Sequence, residues 1–188
     1  MKYIITVFFF LTLLSCNIRL NRFEMIDASM SPGLKPGDVV TIDKHYKNLD
    51  YGDIIMCYRK GEEWDEYKEG IVSSRIVGLP GDSIKVKYDI CIINGVENKH
   101  RLKRRSVFKE YEKSYDEYEE IFPNAKSILI YHWSVLERDE DITETIKVAD
   151  DHFFIMGDNR SGSIDSRYFG AIHRDKIIGK VIKITPAK

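Results

Sequence analysis

The sequence predicts a mostly β fold, a barrel-like core of short strands accompanied by one small α-containing stretch. Three observations predict it. β-Branched and aromatic residues recur in short, partly alternating runs, the pattern of half-buried strands. Glycines such as Gly37, Gly52 and Gly95 punctuate those runs, which favours many strands over a few long helices. From 98 to 151 the character changes to dense charged and aromatic sequence, where the helix is expected.

Taken in order, the chain opens with Met1 and Lys2, then an apolar run from Tyr3 to Leu14, and closes this segment with Leu13-Leu14-Ser15-Cys16. One positive charge, roughly a dozen apolar residues and a small residue before a cut describe a secretory signal, because a bilayer-spanning helix needs about 20 apolar residues. Leu-Leu-Ser-Cys also resembles a bacterial lipobox, in which Cys16 is lipidated and becomes the mature N-terminus. The other reading of residues 1–16 is a short uncleaved anchor. Both place the following domain on the extracytoplasmic side of a membrane, and an acylated cysteine anchors by inserting CH₂ groups at about 0.8 kcal/mol each.

Residues 17–25 read as a tether. Strands are expected at 39–43, 53–59, 70–77, 83–87, 90–93, 127–134, 152–156 and 179–185, and Asn94-Gly95 signals a tight hairpin turn. The run His100-Arg101-Leu102-Lys103-Arg104-Arg105 is basic. It reads as a solvated turn, with contact to anionic lipid headgroups as the other reading. Phe108, Tyr111, Tyr115, Tyr118 and Phe122 recur every three or four residues, so a helix over 107–122 with one aromatic stripe against the β core is expected.

With 29 basic and 30 acidic residues the chain carries a formal charge of -1, and no global field favours nucleic acid as a partner. Its 188 residues suffice for one domain with a real core. Besides Cys16, the cysteines Cys57 and Cys91 both lie in strand-like stretches, where buried free thiols and a disulfide are both open readings. No metal-ligand spacing or phosphate-cradling glycine loop is present, and no cofactor is expected.

Three separated segments carry the chemistry: Ser29-Met30-Ser31-Pro32, then Ser74-Arg75-Ile76-Val77-Gly78-Leu79-Pro80-Gly81-Asp82, then Gly157-Asp158-Asn159-Arg160-Ser161-Gly162-Ser163-Ile164-Asp165-Ser166-Arg167. In order and spacing, from about Met25 to Ile184, they resemble type I signal peptidase, the membrane-bound Ser-Lys serine protease family that removes signal peptides from exported proteins. The third segment is the most specific, an eleven-residue run in family order.

The resemblance implies a signal-peptidase-like coiled β-barrel core from 26–97 and 152–188, with 98–151 as a variable insertion, and a bacterial cell-envelope protein facing the periplasmic side. Its partners would be preprotein signal peptides or other extended peptides. Ser29 falls at the nucleophile, Ser163 at the serine that hydrogen-bonds the family lysine, and Asp165 with Arg167 at an ion pair that fixes the site. Asp158 is assigned a structural role. Met30, Pro32, Ile76 and Val77 would line the groove for small P1 and P3 side chains.

Three positions depart from the family pattern. Gly33 replaces the usual Thr. Ser74 stands where the family carries its catalytic lysine, and a hydroxyl cannot take up the proton of Ser29, while Arg75 stays protonated at any working pH. Asp27 stands where the family prefers Ser or Gly as a second oxyanion donor beside the backbone N–H of Ser29, and an ionised Asp27 would repel the charge that such a hole stabilises. Replacement bases to be weighed are Lys85 or Lys87, a histidine (His152 before His45, His100, His132 or His173), and Asp158 or Asp165 acting through water. Two readings follow: an endopeptidase of signal peptides with Ser29 as nucleophile, or an inactive relative that binds extended peptides by strand addition. A third reading of the same Ser-Lys chemistry is a self-cleaving repressor or a pilin or conjugation-type processing protease, of which the repressor is disfavoured by the export signal and the absence of a DNA-binding half.

Overall fold

The computed structural model describes residues 21–60, 69–87, 89–108, 113–133 and 142–188. The expected signal or anchor at 1–16, with Cys16, lies outside the described residues, as do residues 17–20.

Fourteen strands are described: β1 Asn21–Glu24, β2 Val39–Asp43, β3 Ile54–Lys60, β4 Glu69–Gly78, β5 Ser83–Lys87, β6 Ile90–Ile93, β7 Val96–Glu97, β8 Lys99–Phe108, β9 Lys113–Ile121, β10 Ser127–Trp133, β11 Ile142–Lys147, β12 His152–Met156, β13 Ile172–His173 and β14 Ile177–Thr185, with one short helix, α1, at Ser166–Phe169. The mostly β expectation holds. The strands form a seven-stranded sheet in the order β1-β2-β14-β3-β4-β12-β13, a four-stranded sheet β11-β5-β6-β7 and a three-stranded sheet β10-β9-β8. These sheets are open, with β1 and β13 at the edges of the largest, rather than closed into a barrel. Asn21–Glu24, expected as part of a tether, pairs with β2 as that edge strand.

The central strands are buried on both faces, which is why they read as nearly continuous apolar runs. In β12, Phe153 and Ile155 join Ile55, Cys57, Ile76 and Ile177 on one face, while Phe154 and Met156 join Val77, Ile84, Val86, Cys91, Ile93, Phe122 and Val148 on the other. A third cluster gathers Met25, Met30, Leu34, Val40, Ile42, Ile54 and Met56. Successive side chains of a strand point to opposite faces, so neighbouring residues serve different clusters.

Turn chemistry follows the sequence where glycine is required. Asn94 and Gly95 take φ of 53° and 80°, as the two-residue turn between β6 and β7 demands. Leu79 to Asp82 forms a turn in which the Asp82 carboxylate accepts from the backbone N–H of Leu79 (2.8 Å), the Tyr51 hydroxyl (2.7 Å) and Asn94 Nδ2 (2.7 Å). The Gly-Asp of the second segment is thus a scaffold.

The helix expected over 107–122 is not formed among the described residues: 107–108 end β8 and 113–121 form β9, paired antiparallel, with Phe122 just past β9, while 109–112, with Tyr111, lie outside the described residues. Spacings of three and four suit a helix, yet Tyr, Val, Phe and Ile favour strands, and the pairing register supplies what an isolated helix lacks. Arg101 stands opposite Glu119, Arg104 opposite Glu117 and Arg105 opposite Asp116. The basic run, expected as a solvated turn, is therefore the strand partner of the acidic one, and Lys103 Nζ reaches Glu119 Oε2 at 2.7 Å. Opposite charges across a strand pair stabilise the register, whereas in one helix the two runs would lie end to end.

Cys57 and Cys91 are free, each fully buried in a different cluster. Burial pushes both thiols up to about 12, so neither forms thiolate at neutral pH. Neither cysteine is expected to react with an aromatic disulfide reagent at pH 8 until denaturant is added; rapid labelling of the folded protein at either position would contradict this packing.

Candidate functional site

The loop from Met25 to Gly37 carries the candidate nucleophile and is closed at its base by backbone bonds from Met25 N to Asp38 O (2.8 Å) and from Gly37 N to Met25 O (2.7 Å). Within it Met30 and Leu34, 2% and 1% exposed, plug the third cluster. That anchoring presents Ser29, half-buried, beside the third segment. Met30 therefore acts as core rather than as groove lining. Pro32 is half-buried.

The carbonyl of Ser29 is held twice. Asn159 N donates to it at 2.9 Å, and Ser163 Oγ lies 2.9 Å away, also within 2.8 Å of Asn159 O. One hydroxyl proton serves one of these acceptors at a time. Asn159 Nδ2 adds a bond to Ala28 O at 3.2 Å. The first and third segments, 130 residues apart in sequence, thus meet at Ser29.

The second segment joins them through β4. Arg75 pairs with Met156 and Ile76 with Ile155; continuing that register by one residue sets Ser74 alongside Gly157. Ser74 is 5% exposed, on the strand face shared with Ile55, its partner in β3. Gly157 is required there. A Cβ on it would stand 1.9 Å from Ser163 Oγ and 2.6 Å from Ser29 O. We expect Gly157→Ala to displace Ser163 or the Ser29 loop at a cost of about 1–3 kcal/mol, read as a lowered melting temperature; an unchanged melt would show that the turn can yield.

Arg75, on the opposite face from Ser74, is occupied. Its Nε and NH2 donate to Asp158 Oδ1 (2.7 Å) and Oδ2 (2.5 Å), and NH1 donates to Gly52 O (2.7 Å). Burial pushes the Asp158 carboxyl up while Arg75 pulls it down. Gly33 lies against this pair: a Cβ there would stand 2.2 Å from Asp158 Oδ2 and 2.8 Å from Arg75 NH2, so a side chain at 33 requires the two charged groups to shift.

Asp165 and Arg167 make a bidentate pair, Nε to Oδ1 and NH2 to Oδ2, both at 2.8 Å. Asp165 also caps α1 and accepts from Gly157 N at 3.0 Å. Its carboxylate therefore locks both ends of the third segment.

The replacement bases fare poorly on position. Lys85 and Lys87 alternate with the buried Ile84 and Val86, so they point away from the core face of β5. His152 begins β12, about 17 Å along an extended strand from Gly157, and its ring packs edge-on against His173 with centroids 5.0 Å apart. His45 is exposed beyond the end of β2, and His100 and His132 belong to β8 and β10. Asp158 and Asp165 are both engaged by arginines.

Asp27 has a defined place. Its Oδ1 accepts from the backbone N–H of Ser29 at 2.8 Å. That N–H is the donor the sequence resemblance assigns to an oxyanion hole. An exposed carboxylate now occupies it, so an incoming carbonyl oxygen must displace a negative charge before using the same donor.

Ile76 and Val77, expected as groove walls, are fully buried and point into opposite clusters. They are core. The contacts that sequence reasoning missed are those of Arg75 with Asp158 and of Arg160 with Glu120, both buried ion pairs. The available signal was an arginine inside an apolar strand, which must find a carboxylate on folding.

Among the described residues no helix is long and apolar enough to cross a membrane. A family model described as "Signal peptidase, peptidase S26" matches residues 1–185. Signal peptidase I V of Bacillus subtilis (strain 168) is 28% identical over 162 residues, covering 85% of this chain and 82% of that protein. Signal peptidase I P of Bacillus subtilis subsp. natto is 32% identical over 176 residues, with 90% and 78% covered. Signal peptidase IB of Staphylococcus aureus (strain COL) is 28% identical, with 81% and 71% covered. Among solved structures, a signal peptidase I from Enterococcus faecalis V583 aligns with a TM-score of 0.39 at 24% identity, over 71% of this chain and 97% of that one. By the family match along nearly its whole length and these relatives, the chain belongs to the signal peptidase family, peptidase S26.

Proposed function

We propose that this protein cleaves signal peptides from exported preproteins as a serine endopeptidase held at the extracytoplasmic membrane face by its N-terminal segment, with Ser29 as the nucleophile. The observation that supports this reading is the meeting of the first and third segments at Ser29, whose carbonyl is held by Asn159 and Ser163, with the second segment tied to the third through the Arg75–Asp158 pair. Ser29 Oγ attacks the carbonyl carbon of a small residue and passes its proton to a water molecule; the C–N bond breaks as the amide nitrogen takes up a proton from that water and leaves as the amine, and a second water hydrolyses the acyl ester, restoring the Ser29 hydroxyl and releasing the signal peptide as a carboxylic acid. No cofactor takes part. Water is a poor base for a serine hydroxyl, so the reaction is slow.

A second reading is favoured by one observation, the Asp27 carboxylate on the Ser29 N–H. In it the protein holds extended peptides without cutting them. Incubation of the full chain in lipid vesicles with a preprotein, followed by mass spectrometry of the products, separates the two. A cut after a small residue at the end of the signal segment is expected; saturable binding with no product over many hours would replace the first reading by the second.

A further inference from the structure

Arg160 is the largest fully buried side chain of the third segment, 1% exposed, and it is held from three sides. NH2 meets Glu120 Oε2, Nε donates to Gly157 O at 3.2 Å, and NH1 donates to Asp89 O at 2.8 Å. Glu120, 0% exposed, belongs to β9, in the interval set apart in sequence as an insertion; Asn98 Nδ2 donates to its other oxygen at 3.0 Å. From β10, in the same sheet, Tyr131 N donates to Asp158 O at 2.8 Å, and Tyr131 bridges Asn159. Arg160 in turn starts the 3-10 turn Arg160–Gly162, directly after Asn159 and directly before Ser163, the two residues that hold the Ser29 carbonyl.

A carboxylate and a guanidinium this deeply buried each need the other, because removing one leaves an uncompensated charge out of water. The turn has no side-chain cap of its own at Asn159. Arg167 NH2 grips the turn from one side at Arg160 O (2.6 Å) and Ser163 O (3.4 Å), and the buried Arg160 side chain supports it from beneath, its charge matched by a residue outside the three family segments.

We infer that Glu120 is a positioning residue for the Ser29 site: through Arg160 it sets the 157–163 turn at the place where Asn159 N and Ser163 Oγ grip the Ser29 carbonyl. The insertion is then part of the support of the site. Its consequence for catalysis rests on Ser29 being the nucleophile; its consequence for the geometry does not.

The test uses the full chain with Glu120→Gln, and Glu120→Gln/Arg160→Met as a second variant that leaves no buried charge unpaired. Amide hydrogen exchange is followed at Asn159, bonded to Ser29 O, and at Gly162, bonded to Asn159 O, against Ile76, bonded to Asp53 O. Exchange at Asn159 and Gly162 is expected to quicken at least tenfold in both variants while Ile76 is unchanged, and preprotein cleavage is expected to fall in kcat with KM nearly kept. A uniform rise across all three amides, or no rise at Asn159 in the folded double variant, would overturn the positioning role. Absence of cleavage in the unmodified chain, with the local exchange change present, would instead reject the peptidase reading and leave the positioning role standing.

Discussion

Replacing Ser74 by Lys and Asp27 by Ser together should raise kcat/KM for preprotein cleavage by at least two to three orders of magnitude over the natural chain. The two changes repair different steps. A lysine at 74 would stand on the buried strand face that Ser74 shares with Ile55 and Ile76, where burial lowers an ammonium pKa and favours the neutral amine that could accept the Ser29 proton. A positioned general base contributes about 10²–10⁴-fold. Asp27→Ser frees the Ser29 N–H now bonded at 2.8 Å to a carboxylate and offers a hydroxyl donor in its place; one oxyanion donor is worth about 10²–10³ in kcat. Ser74→Lys alone should gain less than the pair, because the oxyanion would still form against the Asp27 charge. The measurement is steady-state cleavage of one preprotein by the four proteins of the cycle, each checked against its Ser29→Ala counterpart. A double variant no faster than the natural chain would mean that these two residues do not limit the chemistry.

The largest effect on stability should come from Asp158→Ala. The variant strands the Arg75 guanidinium, 9% exposed and bonded through two nitrogens to that carboxylate. Breaking a buried pair by removing one partner costs about 3–5 kcal/mol, which for a domain of this size lowers the melting temperature by on the order of 10 °C. Arg75→Met/Asp158→Leu should recover much of that loss, since no charge is then buried alone. Thermal unfolding of the three proteins followed by circular dichroism decides it: equal melts for Asp158→Ala and the unaltered chain would show that Arg75 finds another partner.

How much of this was legible in sequence depends on what a residue's neighbours in the chain can say. Strands 39–43, 83–87, 90–93 and 152–156 were readable to the residue because their alternation or apolar run coincides with one strand between turn residues. The insertion reads as a helix in sequence because aromatic spacing of three and four also occurs in a strand whose charges are matched by an antiparallel neighbour, and cross-strand matching is invisible along one strand. The short edge strands β1, β7 and β13 carry too few residues to show a period. At the site, the three segments named the residues that meet, Ser29 with Ser163 and Asp165 with Arg167. They could not show that Ile76 and Val77 are turned into the core, or that Asp27 folds back on the Ser29 N–H. Nor could they reach Glu120, which becomes relevant only because β9 delivers it under Arg160.

The role of Ser29 as nucleophile is open to direct measurement. Single-turnover cleavage of a preprotein by the full chain in vesicles, with enzyme in excess, should show slow product formation that Ser29→Ala abolishes while both proteins bind the preprotein equally. Product formation that persists unchanged in Ser29→Ala would contradict it.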